Sequence, residues 1–233
     1  MANILTQNNK VFRSGNSIFI TGGTPEPIVD INPEFFGLAN NAPISIGLDS
    51  SNNKNHLYQT SDTNRPTFLT NIINGLPVIN LNGTNNYILF GSAFNPGTIF
   101  LVSRATTSSQ STYGSPFHGN SLDYWDGGNS VMWRTDGGNV GGGFVGDNNS
   151  KAYINAGLVS KGQITNLNVF RLFRFDVTVS TRTSLFTIGS RYFNNSHSAF
   201  YNGQIARLLC FSERLTEIQA KAIENQLLTK YGL

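Results

Sequence analysis

The chain has 233 residues, with 16 Lys or Arg and 13 Asp or Glu, so charged side chains make up 12% against about 25% in an ordinary globular domain. That scarcity excludes a coiled coil or a charged disordered tail, while 39% hydrophobic residues, including 17 Phe, are enough to close a sizeable core. The net charge of +3 is scattered, without the Lys/Arg run that would track a phosphate backbone, and no apolar run approaches the roughly 18 residues of a membrane helix; neither nucleic acid nor membrane is an expected partner.

Met1 to Lys10 is polar and has no apolar signal core, so the expectation is synthesis in a cytoplasm, with lysis as a route outward for a virion component. Residues 1–23 place apolar groups between turn residues. Ile4-Leu5, Val11-Phe12 and Ile18-Phe19-Ile20 are separated by Asn8-Asn9 and Ser14-Gly15-Asn16, which predicts a short hairpin arm able to dock on a neighbouring protein through backbone hydrogen bonds. Residues 24–42 contain Pro25, Pro27 and Pro33 and read as a linker or as an edge segment of the domain beyond it.

Residues 43–233 read as one β-domain. Short strands are predicted over 44–48, 78–81, 87–90, 98–104, 131–134, 167–179, 185–188 and 205–211, separated by Gly, Asn and Ser clusters. Over 167–179, Val169, Phe173, Phe175, Val177 and Val179 share one face and Arg174, Asp176 and Thr178 the other, the pattern of a half-buried strand. Ile99-Phe100-Leu101-Val102 is apolar on both faces, which predicts a central position. The period then changes. Thr216 and Gln219 form a capping-box pair, Ala220, Ile223, Leu227 and Tyr231 make one apolar helical stripe, and Gly232 stands where a left-handed cap would close it. The fold class is therefore all-β, a sandwich or barrel with one C-terminal amphipathic helix.

Two stretches carry a resemblance. The first runs through Leu48-Asp49-Ser50, Asn64-Arg65-Pro66-Thr67, Asn74-Gly75-Leu76-Pro77-Val78-Ile79-Asn80-Leu81-Asn82-Gly83 and Asn86-Tyr87-Ile88. The second runs through Ile188-Gly189-Ser190, Phe200-Tyr201-Asn202-Gly203-Gln204-Ile205-Ala206, the 208–218 segment and Lys230-Tyr231-Gly232-Leu233. Their order resembles the concanavalin A-like lectin/glucanase superfamily, specifically the laminin-G-like modules of phage and bacterial surface proteins, and implies a jelly-roll β-sandwich over 43–233. Gly47 departs from that pattern where an aromatic often stands. Asn82 and Asn86 replace acidic residues, removing charge where some relatives hold calcium.

Glucanases of that superfamily resemble other retaining glycosidases in needing two carboxyl groups about 5–5.5 Å apart. Here the glutamates are Glu26, Glu34, Glu213, Glu217 and Glu224, none in a predicted strand, so no catalytic residue is expected. His56, His118 and His197 fall in polar loops and read as exposed, and no Gly-x-Ser-x-Gly elbow presents a serine. Gly141-Gly142-Gly143 lacks the Lys-Ser/Thr of a phosphate loop. No cofactor is expected. Calcium would have to use Asp123, Asp126, Asp136 and Asp147, which lack EF-hand spacing.

Two Asp-Gly-Gly-Asn units stand at 126–129 and 136–139. One reading makes them hairpin turns, since Gly and Asn accept positive φ. The other makes the surrounding stretch a carbohydrate site, with Tyr124, Trp125 and Trp133 stacking on a sugar ring and Asp126, Asn129 and Asn139 bonding its hydroxyls. With the resemblance, this leads to the expectation of a non-catalytic, multicopy component of a phage virion (capsid decoration, head fibre or tail-associated protein) bound to other virion proteins and presenting a lectin-like head to host glycans. A free bacterial carbohydrate-binding module or adhesin is the alternative, and a glucanase-type glycosidase the third reading.

Overall fold

A computed structural model describes residues 6–7, 10–11, 25–105, 116–119, 130–131, 134–136, 139–141, 144–145, 151–159, 168–177, 185–193 and 195–233. These are mostly antiparallel β-structure with one C-terminal helix, α1 (Glu217–Tyr231). Among them, the larger sheet has eight strands, in spatial order Gly157–Val159, Lys151–Ile154, Arg171–Asp176, Thr98–Ala105, Asn202–Phe211, Leu76–Asn82 and Thr67–Ile73, with Val29–Ile31 paired to Asn202–Phe211. The smaller has five: Phe117–Gly119, Phe186–Ile188, Ile88–Phe90, Leu57–Tyr58 and Ile46–Gly47.

Side chains of both sheets meet in one core. Ile79, Leu101, Phe173 and Leu208 come from the larger sheet, and Leu57, Ile88, Phe117 and Ile188 from the smaller, so the architecture is a two-layer sandwich. Phe117 and Phe186 stack with ring centroids 4.7 Å apart, and Phe94 closes on Phe186 at 4.5 Å. Alternation along Thr98–Ala105 explains the second core. Ile99 and Leu101 point between the sheets, while Phe100 and Val102 point outward and meet Ala220, Ile223, Leu227 and Tyr231 of α1. This strand pairs on both edges, as a centrally placed strand must, but its second cover is a helix.

The helix begins and ends where its sequence directs. Thr216 N–H donates to Gln219 Oε1 at 2.9 Å, Gln219 N–H returns to Thr216 Oγ1 at 3.4 Å, and Gly232 takes φ +67°. Ile223 and Leu227 are fully buried, each side chain stabilising the docked helix by about 1.5–3 kcal/mol.

The half-buried reading of 167–179 is corrected. The strand spans Arg171–Asp176, and its charged face is not open to water, because Arg174 is fully buried and Asp176 nearly so. Here α1 covers the charges, and they are tolerated because they are paired. Arg174 reaches Glu217 at 2.8 Å, Glu224 at 3.1 Å and Asp176 at 3.4 Å, with its guanidinium 3.4 Å over the Tyr153 ring.

Residues 24–42, expected as a linker or edge segment, hold a strand of the larger sheet. Val29 and Ile31 are fully buried, and Asp30 pairs with Arg207 at 2.7 Å. The Thr67–Ile73 strand escapes pattern reading because its register shifts after Leu69 and Asn71 takes φ +55°. It returns through Asn74-Gly75, both at positive φ, a two-residue hairpin turn. In the arm, Thr6–Gln7 pairs with Lys10–Val11. Ile4, Leu5, Phe12, Ile18, Phe19, Ile20 and the side chain of Val11 lie outside the described residues.

Candidate functional site

Of the residues expected to bind sugar, Tyr124, Trp125, Asp126, Asn129 and Trp133 lie outside the described residues, as does the side chain of Asn139. The backbone of their surroundings is partly described. Arg134–Asp136 pairs with Asn139–Gly141, with Asp136 opposite Asn139, so the second Asp-Gly-Gly-Asn unit joins two strands as hairpin chemistry allows. Ser130–Val131 pairs with Phe144–Val145 outside it and adjoins Phe117–Gly119, the edge of the smaller sheet.

Between that edge and the start of the middle strand, Ile88–Phe90, the described side chains form a cluster that sequence reasoning missed. The hairpin of Arg191–Phe193 and Ser196–Ser198 lies against Phe117–Gly119, where Tyr192 N–H donates to His118 Nδ1 at 3.4 Å. His197 stacks on Tyr87 with centroids 3.7 Å apart, shares a 2.8 Å hydrogen bond with Ser190, and has Tyr192 at 5.0 Å. Amides rim the ring. Asn64 Nδ2 donates to the Tyr87 hydroxyl at 3.5 Å, and Gln59 Nε2 donates to the Tyr87 carbonyl at 2.8 Å.

The two stretches that carried the resemblance meet at this cluster. Gly189 takes φ +92°, and a Cβ there would collide with Leu81 and come within 3.0 Å of the Asn86 carbonyl, so the close approach needs glycine. Asn82 Oδ1 accepts the N–H groups of Thr84, Asn85 and Asn86 at 2.9, 3.1 and 3.2 Å. A neutral amide thus organises a turn that a carboxylate could also have organised.

The exposed-loop reading of the histidines is corrected. His118 is fully buried in the Phe117–Gly119 strand, His197 is partly buried, and His56 Nδ1 accepts the Asp49 N–H at 3.0 Å. Loop-like composition around them concealed this, since their covers come from distant segments. Burial disfavours the charged imidazole and pushes His197 down to about 4. Ser190 beside it is fully buried, so this Ser-His contact presents no hydroxyl to a substrate.

Carboxylates of the sandwich are committed to structure. Asp49 is almost fully buried. Its Oδ1 accepts the Asp30 and Ser51 N–H groups at 2.8 and 2.9 Å, and its Oδ2 the Asn55 N–H and the Ser51 hydroxyl, both at 2.8 Å. Burial raises Asp176 and Glu224 above the usual carboxylate range, with Arg174 opposing the shift for both, and burial raises Asp30 against Arg207. The five glutamates all lie outside the strands, in coil, a 3-10 turn, a bend and α1.

Among the described residues no His, Cys, Asp and Glu group is arranged to hold a metal, and no helix is long and apolar enough to cross a membrane. Asp123, Asp126, Asp147 and the side chain of Asp136 lie outside those residues. Comparison with known protein families, curated proteins and solved structures found no match.

Proposed function

We propose that this protein is a non-catalytic structural and adhesion component of a phage particle, a capsid decoration, head-fibre or tail-associated protein, whose jelly-roll sandwich of the concanavalin A-like kind is displayed as a lectin-like head. The observation that carries this reading is the division of labour between interior and edge. Asp49, Asp176, Glu224 and Arg207 serve amide cradles and ion pairs inside the fold. The surface running from the Phe117–Gly119 edge to the start of Ile88–Phe90 instead gathers partly exposed aromatic rings with amide and hydroxyl groups. Aromatic faces with fixed amides suit the apolar face and hydroxyls of a sugar, and such a surface binds without reacting.

The 121–149 stretch, whose Ser130–Val131 strand adjoins this edge, supplies the tryptophans of the proposed sugar contact. Binding of the full-length protein to a bacterial glycan array and to whole cells tests the reading. Trp125→Ala and Trp133→Ala are expected to weaken binding at least tenfold, roughly 1.4 kcal/mol. Unchanged binding by both variants, or glycan cleavage by the wild type, would overturn the assignment.

A further inference from the structure

One row of side chains crosses the outer face of the smaller sheet: His118, Thr187, Leu89, Tyr58 and Ile46 stand directly opposite one another from strand to strand. Its two halves differ. His118 and Thr187 are fully buried, with Tyr192 of the 191–198 hairpin bonded to His118. Ile46 and Tyr58 are 49% and 43% exposed, and Leu48, two residues beyond Ile46, is 40% exposed. Three large apolar side chains therefore stand bare on a face whose other half is covered.

Among the described residues the backbone there is open as well. Ile46–Gly47 is the last strand of its sheet, and Ser45 C=O accepts from Gln59 N–H at 2.8 Å, so antiparallel alternation turns the N–H and C=O of Ile46 away from the neighbouring strand. At the opposite limit of the larger sheet the corresponding edge is occupied. Asn41 N–H bonds Phe68 C=O and Phe68 N–H bonds Ala42 C=O, both at 2.8 Å, along Thr67–Ile73.

The chain itself points to an occupant. The Ile28 carbonyl accepts from the Ser51 hydroxyl at 3.2 Å and Asn53 Nδ2 at 3.1 Å, so the segment after Pro25 runs beside the loop that leaves Leu48. The residues ahead of Pro25 span about 80 Å when extended at ~3.3 Å per residue, enough to pass from one copy to the next. Their apolar groups, at Ile4-Leu5, Val11-Phe12 and Ile18-Phe19-Ile20, recur at a seven-residue interval. Among the described residues, Thr6–Gln7 and Lys10–Val11 pair with each other and with no strand of the sandwich.

We propose that the bare Ile46, Leu48 and Tyr58 face receives the N-terminal arm, residues 1–23, of a second copy of this chain. This rests on the reading of residues 1–23 as a docking arm and is independent of glycan binding. Such an arm adds backbone hydrogen bonds at the open edge while its apolar side chains cover the bare face. Repeated from copy to copy, the contact is head-to-tail and builds a ring or a surface array.

Cys210 makes the test clean, because it is fully buried with its thiol pushed well above the usual range, and an added cysteine is the reactive one. Full-length Phe12→Cys is mixed with a larger, tagged Tyr58→Cys chain and oxidised. The mixed disulfide dimer is expected to form at least tenfold faster than with an Ile218→Cys partner, whose added thiol stands at an 85% exposed position on α1, away from the bare face. As a second measure, Ile46→Lys with Leu48→Lys, both at exposed positions, is expected to reduce the assembly to monomer in light scattering. The inference falls if no mixed dimer forms, or if the disulfide forms only within one chain of a Phe12→Cys, Tyr58→Cys double variant. Particle attachment that depends on the arm without any self-association overturns this inference alone and leaves the proposed function standing.

Discussion

His197 shows how a single polar residue acquires a property that its neighbourhood in sequence does not announce. It follows Ser196 in a polar run, yet Tyr87 lies over its ring and Ser190 takes its Nδ1. Burial holds its pKa at about 4, against 6.5 for a free imidazole. Between those values the unfolded chain binds a proton that the folded chain refuses, so the stability His197 contributes is present above pH 6.5 and is lost as pH falls toward 4. Chemical denaturation of wild type and His197→Asn across pH 7 to 4 is expected to show a stability gap that is widest near neutrality and closes in acid; a gap unchanged at pH 4 contradicts the account. Asp49 illustrates the opposite case. The Leu-Asp pair was visible in the sequence as a motif, and its physical content is a buried carboxylate that joins Asp30 of the larger sheet to the loop after Ile46–Gly47. Removing it would leave three amide donors unmatched, at about 1–3 kcal/mol for each that stays buried.

At the scale of elements, α1 and the strand Arg171–Asp176 explain each other. The cap, the stripe and the closing glycine of α1 are local signals and were readable, because a helix declares its buried face by spacing alone. What covers a strand's second face is not local. Alternation separated Phe173 and Phe175 from Arg174 and Asp176 correctly, but the polar face meets α1 and not water. Glu217 and Glu224, seven residues apart on the helix, are the matching charges, a signal that becomes meaningful once strand and helix are known to be partners. The cluster has three carboxylates around Arg174, with Lys221 and Arg214 near it and Lys151 facing Asp176 from the adjacent strand. Burial raises Glu224 against the opposing pull of Arg174, so the stability linked to it is greatest below the unfolded value of about 4.5 and falls as pH rises through its folded value. Glu224→Gln is expected to match wild type near pH 4.5 and to exceed it in thermal midpoint increasingly above that pH. Equal midpoints from pH 5 to 8 would show that Arg174 fully compensates the buried charge.

For the whole molecule, the larger sheet joins distant parts of the chain. Asn202–Phe211 pairs with Thr98–Ala105, Leu76–Asn82 and Val29–Ile31, so the segment just after the arm is held by a strand near the C-terminus. This sets where the fold begins in structural terms. Deleting residues 1–23 removes described strands that pair with each other and with no described strand of the sandwich, and in protein dilute enough to be monomeric is expected to move the thermal midpoint by less than about 2 °C, corresponding to under ~1 kcal/mol in a chain this long. Deleting residues 1–31 removes Val29 and Ile31 from the core and is expected to abolish cooperative unfolding in calorimetry. A large loss from the shorter deletion would show that the arm is part of its own chain's sandwich.

Taken by itself, the sequence determined the β-class, the central strand it placed over 98–104 and the capped C-terminal helix. Each of these is set by periodicity or by turn and cap chemistry acting over a few residues. The tertiary structure alone decided that Val29–Ile31 belongs to the larger sheet, that Arg174 is buried beneath α1, and that Tyr87 and His197 stack beside the smaller sheet. Those outcomes depend on which distant segment arrives to cover a given face. Local pattern distinguishes one face of an element from the other, but it cannot say whether water, a helix or another strand lies against it.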